Sequence, residues 1–151
     1  MTAASGRRPT VGVGAVVWRG AHVLLIRRGK PPGAGAWSLP GGRQEWGETV
    51  EAALRREVRE ETHLDLGPLT FVAVVDLVAT GADGSVVRHY TLLDYTAEAA
   101  PGEAVAGDDA QAVAWFDPDA LAAVELWDET RAVIERAARL RPGAAHSETV
   151  A

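Results

Sequence analysis

The sequence predicts a single mixed α/β domain, and three observations support this fold class. Segments rich in β-branched and aromatic residues alternate with amphipathic segments of helical period. The chain has 151 residues, enough for one domain with a sizeable core, and contains no repeat, low-complexity block or linker. Its 47% hydrophobic and 24% charged residues are typical of a globular protein. We expect one domain over residues 10–141, with flexible segments at 1–9 and 142–151.

The first half of the chain is predicted to form a hairpin, a short strand and a helix. Two β-rich stretches, Val11–Trp18 and Ala21–Arg28, are joined through Gly20, which suits a tight turn. A loop rich in proline and glycine follows, and then a short strand in "WSLPGG". From Thr49 to Thr62 the apolar residues follow a helical period.

The second half is predicted to add three strands and two helices. The strands are, in chain order, Leu69–Ala79, Val86–Glu98 and Gln111–Phe116, the first two forming an antiparallel hairpin. Asp117 is expected to cap a short helix that has Pro118 at its first position. Leu126–Arg141 is an amphipathic helix, which ends where proline and glycine follow.

Charge and composition exclude several classes of function. The formal net charge is −6, so nonspecific binding to nucleic acid is not expected. A small phosphorylated substrate would need local cations, for which Arg27, Arg28 and Lys30 are candidates unless they are a solvated strand end. The chain has no cysteine, which excludes disulfides and thiolate chemistry and fits a cytoplasmic protein. Neither a secretory signal nor a membrane-spanning stretch is expected.

The helix over Thr49–Thr62 carries acids where an apolar face is expected. At about 100° per residue, Leu54 and Val58 lie on the stripe that would pack on the sheet. Glu57 and Glu61 fall within that stripe. They are like charges one turn apart, they lie near the helix C-terminus, and partial burial would add a desolvation cost.

A divalent cation would compensate all three costs. Carboxylate oxygens are hard ligands that suit Mg²⁺ or Mn²⁺, and Glu60 beside the stripe would supply a third. The alternative is a solvated, charge-rich helix with Arg56 paired to Glu60. The inward position of two acids argues against it.

The stretch from Gly42 to Leu64 resembles the signature of the Nudix hydrolase family. That signature is a glycine, five residues, Glu, seven residues, Arg-Glu, an apolar residue, any residue, Glu-Glu, any residue, Gly and an apolar residue. Its charged positions are filled in order by Glu48, Arg56, Glu57, Glu60 and Glu61. His63 stands where the family has glycine. The resemblance extends from about Val11 to Arg139.

The resemblance implies an α/β/α sandwich with a mixed β-sheet between helices. It implies metal-dependent hydrolysis of a nucleoside diphosphate linked to another group. The overall pattern looks most like the short ADP-ribose pyrophosphatase-type group, so ADP-ribose is the first expectation. An (oxidised) nucleoside triphosphate pyrophosphohydrolase and a catalytically silent nucleotide-sensing module are the alternatives. Relatives that pair as homodimers make a homodimer a further expectation.

The resemblance also assigns roles by position. The metal ligands would be the carbonyl of Gly42 and the carboxylates of Glu57, Glu60 and Glu61. Glu48 and Arg56 would form an ion pair that orients the loop and the helix. The metals would neutralise the pyrophosphate and activate a water, whose proton a carboxylate would take. Glu57, Asp108 and Asp109 are candidates for that base, and for the two aspartates a polar loop without a role is the alternative.

Substrate-binding residues are expected outside this signature. Arg27 and Arg43 would meet phosphates. Trp37 would stack on a base, unless it packs in the core. His89 and Tyr90 point to opposite faces of one strand, so only one of them faces a given pocket.

His63 is expected to end the helix in a left-handed conformation, as a strained cap and not as a metal ligand. A Cβ costs about 1 kcal/mol in that conformation, which histidine tolerates better than branched residues do.

Overall fold

The computed structural model of this chain describes residues 7–31 and 33–143. Residues 1–6 of the predicted arm and 144–151 of the predicted tail lie outside the described residues, so the flexibility of these segments stays a prediction. Within the described residues, no helix combines the length and apolarity needed to cross a membrane.

The elements follow the predicted order. The strands are β1 (Thr10–Arg19), β2 (His22–Arg28), β3 (Trp37–Ser38), β4 (Gly41–Arg43), β5 (Thr70–Thr80), β6 (Val86–Glu98) and β7 (Ala110–Phe116). The helices are α1 (Val50–Thr62), a 3₁₀ helix (Pro118–Ala123) and α2 (Asp128–Leu140). Strand β4 was not separated from β3 by the sequence, because its two glycines have low strand propensity.

The strands form one mixed sheet, in the order β3-β2-β1-β6-β5, with β4 also paired to β1 and β7 to β2. Among the strands of the described residues, only β1 and β6 run parallel. The pairs between β1 and β2 lie next to their shared turn, at Trp18–Val23 and Arg19–His22. The first half of β1 pairs instead with β4, from Gly12 to Gly14. Strand β2 therefore diverges from the start of β1, and β4 pairs with that part of β1 in its place.

The two α-helices cover opposite faces of the sheet, as the period-2 alternation along β1 requires. Val13 and Val17 pack beneath α1 against Leu54, on what we call the α1 face. Val16 packs with Ile134 of α2, on the α2 face. These two layers confirm the predicted α/β/α sandwich.

Helix α1 is fixed at both ends. The Oγ1 of Thr49 accepts a hydrogen bond from the N–H of Ala52, at 3.1 Å. His63 caps the C-terminus with φ 62° and ψ 17°, and its N–H donates to the carbonyl of Arg59. The predicted left-handed conformation is therefore confirmed. The His63 ring also contacts the main chain, with its Nδ1 2.8 Å from the carbonyl oxygen of Val105.

Candidate active site

The acids of α1 lie where the helix meets β4. Glu61 is 9% exposed, and its Oε1 accepts a hydrogen bond of 2.7 Å from the N–H of Gly41. Glu57 lies against Gly42, where an added Cβ would come within 2.3 Å of the Glu57 carboxylate. Glycine at this position therefore makes room for an acid. Glu60 is exposed at the edge of the same helix face, as the sequence predicted.

Burial makes this acidic cluster costly. Desolvation raises the pKa of Glu61 to about 7, against the lowering effect of the Gly41 hydrogen bond. Desolvation also raises the pKa of Glu57, and the neighbouring Arg56 opposes it. A bound cation would remove this penalty, because it favours the ionised form of both carboxylates.

Arg56 is the main cation within the cluster. Its Nε and Nη2 bind the two oxygens of Glu48, at 2.7 Å and 2.9 Å. Its Nη1 lies 2.7 Å from Glu57 and 3.3 Å from Glu60, and its Nη2 donates to the carbonyl of Arg43 at 3.0 Å. The expected Glu48–Arg56 ion pair is present. The Arg56–Glu60 pair of the alternative interpretation is also present, but it is the longer contact.

The donor set suits a hard divalent cation. Three carboxylates and the nearby main chain of Gly42 supply oxygen ligands, which Mg²⁺ and Mn²⁺ prefer. Among residues 7–31 and 33–143, however, no three such side chains converge as a metal-ligand group. Arg56 holds Glu57 and Glu60, while the Gly41 N–H holds Glu61.

The loop that precedes β7 closes over the end of α1. The N–H of Gly107 donates to the carbonyl of Glu61 at 3.0 Å. Asp108 follows with a positive φ of 49°, and its charge contributes to the raised pKa of Glu61. Asp109 points elsewhere, since its carboxylate forms a 2.8 Å ion pair with Lys30. Of these two aspartates, Asp108 is the one whose charge acts on Glu61, and it also acts on Lys30.

The predicted substrate-binding residues are dispersed. Arg27 donates to the side chain of Gln111 at 3.0 Å and stacks over Trp37, with 5.8 Å from its Cζ to the ring centroid. Trp37 also meets Phe116 edge-on at 5.0 Å, which is a core contact. Arg43 is exposed at the end of β4, and its contact with the acidic cluster is through its carbonyl, which accepts from Arg56. Tyr90 lies on the α2 face, 3.6 Å from where a Cβ on Gly12 would stand.

Two features of this region were not predicted from the sequence. One is the role of the Gly41 N–H as a hydrogen-bond donor. This role would have been expected if Gly41–Arg43 had been assigned to a strand. The other is Asp94, a buried carboxylate in the middle of β6. The only sequence signal for a buried group at this position is the pair Gly12 and Gly14. These residues place no side chain on one face of the neighbouring strand β1.

A family model for the NUDIX domain matches residues 8–137. The chain belongs to the Nudix family. It is 39% identical over 133 residues to putative 8-oxo-dGTP diphosphatase 2 of Mycobacterium tuberculosis, covering 87% of this chain and 89% of that protein. It is 37% identical over 109 residues to ADP-ribose pyrophosphatase of Methanocaldococcus jannaschii, covering 72% of this chain and 62% of that protein.

Solved structures agree with this membership. A MutT NUDIX hydrolase from Burkholderia pseudomallei superposes with a TM-score of 0.73 at 35% identity, covering 86% of this chain and 98% of that one. The NUDIX domain of Shewanella oneidensis NrtR, in complex with ADP ribose, has a TM-score of 0.74 at 23% identity over 89% of this chain and 90% of that one, and it supports the fold. The predicted Nudix pyrophosphohydrolase is confirmed as a class, and Nudix hydrolases generally use divalent metal ions.

The Glu48–Arg56 ion pair should affect how the free energy of unfolding changes at acid pH. Arg56 lowers the pKa of Glu48 to about 2, so Glu48 favours the folded state above its unfolded pKa of about 4.3, and this contribution disappears as the pH falls to about 2. We expect wild-type stability to fall more steeply than that of Glu48→Gln between about pH 4.3 and pH 2.

Urea unfolding followed by circular dichroism at several pH values measures this difference. Glu51→Gln, on the exposed first turn of α1, is the matched control and should keep the wild-type slope. Identical slopes for wild type and Glu48→Gln would show that the ion pair does not contribute in solution.

Proposed function

We propose that this Nudix hydrolase cleaves the pyrophosphate bond of a nucleotide with divalent cations held on α1. The ligands are the carbonyl of Gly42 and the carboxylates of Glu57, Glu60 and Glu61, with Mg²⁺ as the first choice and Mn²⁺ as the second. The observation that carries this proposal is the burial of Glu61 beside Glu57. A solvated charged helix would not turn two acids toward a sheet.

The surrounding residues position the acids. When bound, divalent cations supply positive charge to the pyrophosphate and make a coordinated water more acidic. Glu48 fixes the plane of the Arg56 guanidinium, and Arg56 in turn fixes Glu57 and Glu60. The N–H of Gly41 fixes Glu61. A short network thus sets where each carboxylate lies before substrate arrives.

Asp108 is the best-supported base for the attacking water. Asp109 is paired with Lys30, and Glu57 is paired with Arg56 and is assigned to the metal, so neither carboxylate is left to take a proton. The main chain around Gly107 ties Asp108 to the end of α1. We therefore assign proton abstraction to Asp108, with Glu57 and Asp109 as the alternatives.

Two substrate classes are supported by relatives. ADP-ribose follows the sequence expectation and the archaeal relative named an ADP-ribose pyrophosphatase. An oxidised nucleoside triphosphate is supported by the name of the mycobacterial relative, whose match covers nearly the whole of both chains. The wider match favours the triphosphate. ADP-ribose would yield AMP and ribose 5-phosphate, whereas a triphosphate would yield a monophosphate and pyrophosphate.

Arg43 is the better-supported phosphate ligand. Its side chain is exposed, and no hydrogen bond or ion pair from the residues that the structure describes engages its guanidinium, whereas Arg27 already binds Gln111. Trp37 is proposed as a packing residue, because its ring contacts Phe116 and Arg27. A homodimer and a cytoplasmic location stay predictions. A catalytically silent module is disfavoured, since all three acids of the signature are retained.

Glu60→Gln tests the proposed function. We expect kcat on ADP-ribose or 8-oxo-dGTP to fall by more than the roughly 10–100-fold that outer-shell changes cost, because a metal ligand is lost. Chelation by EDTA should abolish wild-type turnover, and Mg²⁺ should restore it. Glu51→Gln, an acid on the same helix but away from the cluster, should keep wild-type activity. Full activity of Glu60→Gln, or of wild type in EDTA, would refute the proposal.

The two loop aspartates are distinguished by a paired substitution. Asp108→Asn should lower kcat by roughly 10²–10⁴-fold, the range for loss of a general base, while leaving KM within a few fold. Asp109→Asn should change kcat little, because its carboxylate faces Lys30. Steady-state kinetics at saturating Mg²⁺ measures both. A larger loss in Asp109→Asn would reverse the assignment.

A further inference from the structure

Asp94 is a buried carboxylate that the protein leaves without a partner. It is 6% exposed, and no hydrogen bond or ion pair reaches it from the described ranges 7–31 and 33–143. Burial raises its pKa to about 6. Thr96, the next buried polar residue on β6, is satisfied by Trp18 at 2.9 Å and by the carbonyl of Val16 at 3.0 Å. Because buried polar groups normally have partners, the isolation of Asp94 requires an explanation.

The sequence of β1 directs this side chain. Asp94 is the register partner of Gly14, and a Cβ added to Gly14 would lie 2.4 Å from its Oδ1. Gly12 makes the same room for Leu92, whose Cδ2 would lie 2.6 Å from an added Cβ. Both side chains therefore lean over β1 on the α2 face, toward β4. A side chain at residue 14 would prevent this arrangement.

The surroundings of Asp94 are apolar and aromatic. Leu39 lies 3.8 Å from the position of a Gly14 Cβ, and Leu92 and Tyr90 flank the same strand. Each of these three residues is only partly buried. Apolar walls around a single polar group are typical of sites that bind an aromatic ring and read one of its edges.

Asp94 is also close to the acids of α1 through β4. Asp94 pairs with Gly14 on β1, and Gly14 pairs with Gly41 on β4, whose N–H binds Glu61. The backbones of Asp94 and Gly41 are therefore two strand spacings apart, about 9.6 Å. The acids lie on the α1 face and Asp94 on the α2 face. Within the described part of the chain, β4 pairs only with β1, and two contacts from α1 reach its other edge. There Glu61 accepts from the Gly41 N–H, and Arg56 donates to the carbonyl of Arg43. A nucleotide that crosses this edge would reach both.

We propose that Asp94 binds the base of the nucleotide substrate and selects a guanine-type base. This inference rests on the proposed function. An ionised carboxylate only accepts hydrogen bonds, and its two oxygens match two adjacent N–H donors. Guanine presents such a pair at N1–H and its 2-amino group. Adenine presents one donor beside an acceptor, which repels a carboxylate oxygen.

Asp94→Asn tests this inference, because it keeps the shape and replaces one acceptor by a donor. Wild type should bind GMP more tightly than IMP, which lacks the 2-amino group, and IMP more tightly than AMP. In Asp94→Asn the affinity for GMP should fall about 10- to 100-fold, as for one charged hydrogen bond, with AMP changed less than about 3-fold. Asp76→Asn, an exposed aspartate on β5, should behave as wild type.

Calorimetric titration measures these affinities without requiring turnover, so the result is separate from the test of catalysis. Asp94→Ser is measured in parallel, and circular dichroism verifies that both variants fold. Equal affinity of wild type for GMP and AMP, or an unchanged preference in the folded variants, would overturn the role of Asp94. Base preference in a protein that lacks hydrolase activity would instead refute the proposed function alone.

Discussion

The bidentate pair between Arg56 and Glu48 is the contact on which the arrangement of the site depends. It joins the loop before α1 to the helix itself, and a second guanidinium nitrogen reaches the carbonyl of Arg43 on β4. The remaining nitrogen lies against Glu57 and Glu60. Only an arginine offers these directions at once, since a lysine ammonium has no planar fork. The clustered acids are thereby both positioned and partly neutralised.

The division of the sheet into two faces explains how one small domain would hold a long ligand. The α1 face gathers acids beside a strand that begins with Gly41 and Gly42. The N–H of Gly41 binds Glu61, and the missing side chain of Gly42 lets Glu57 approach the backbone. The α2 face gathers apolar groups around Asp94, where Gly12 and Gly14 clear the space. The proposed sites of charge chemistry and base recognition therefore lie on opposite faces of the sheet, with β1 and β4 between them. Among the described strands, β2 and β4 are not paired with each other, so β4 is an edge strand.

Local patterns predicted much of this structure. The helical period placed Glu57 and Glu61 on the inward stripe. The left-handed cap at His63 was expected because the Nudix signature has glycine there, and it is present. The parallel pairing of β1 with β6 was not predictable in this way, because it joins residues about 80 positions apart. The burial of Asp94 depends on the pairing of β1 with β6. Its burial follows from its neighbours in space, and the alternation along β6 alone gives no sign of it.

The carboxylates of α1 are proposed to hold a divalent cation, and electron paramagnetic resonance can measure this through the binding of Mn²⁺. Mn²⁺ is titrated into wild type, Glu61→Gln and the control Glu51→Gln, without nucleotide. We expect Glu61→Gln to weaken Mn²⁺ binding by about 10-fold or more, because a buried ligand is lost, and Glu51→Gln to retain wild-type affinity. Equal Mn²⁺ affinity in wild type and Glu61→Gln would show that Glu61 does not bind the cation.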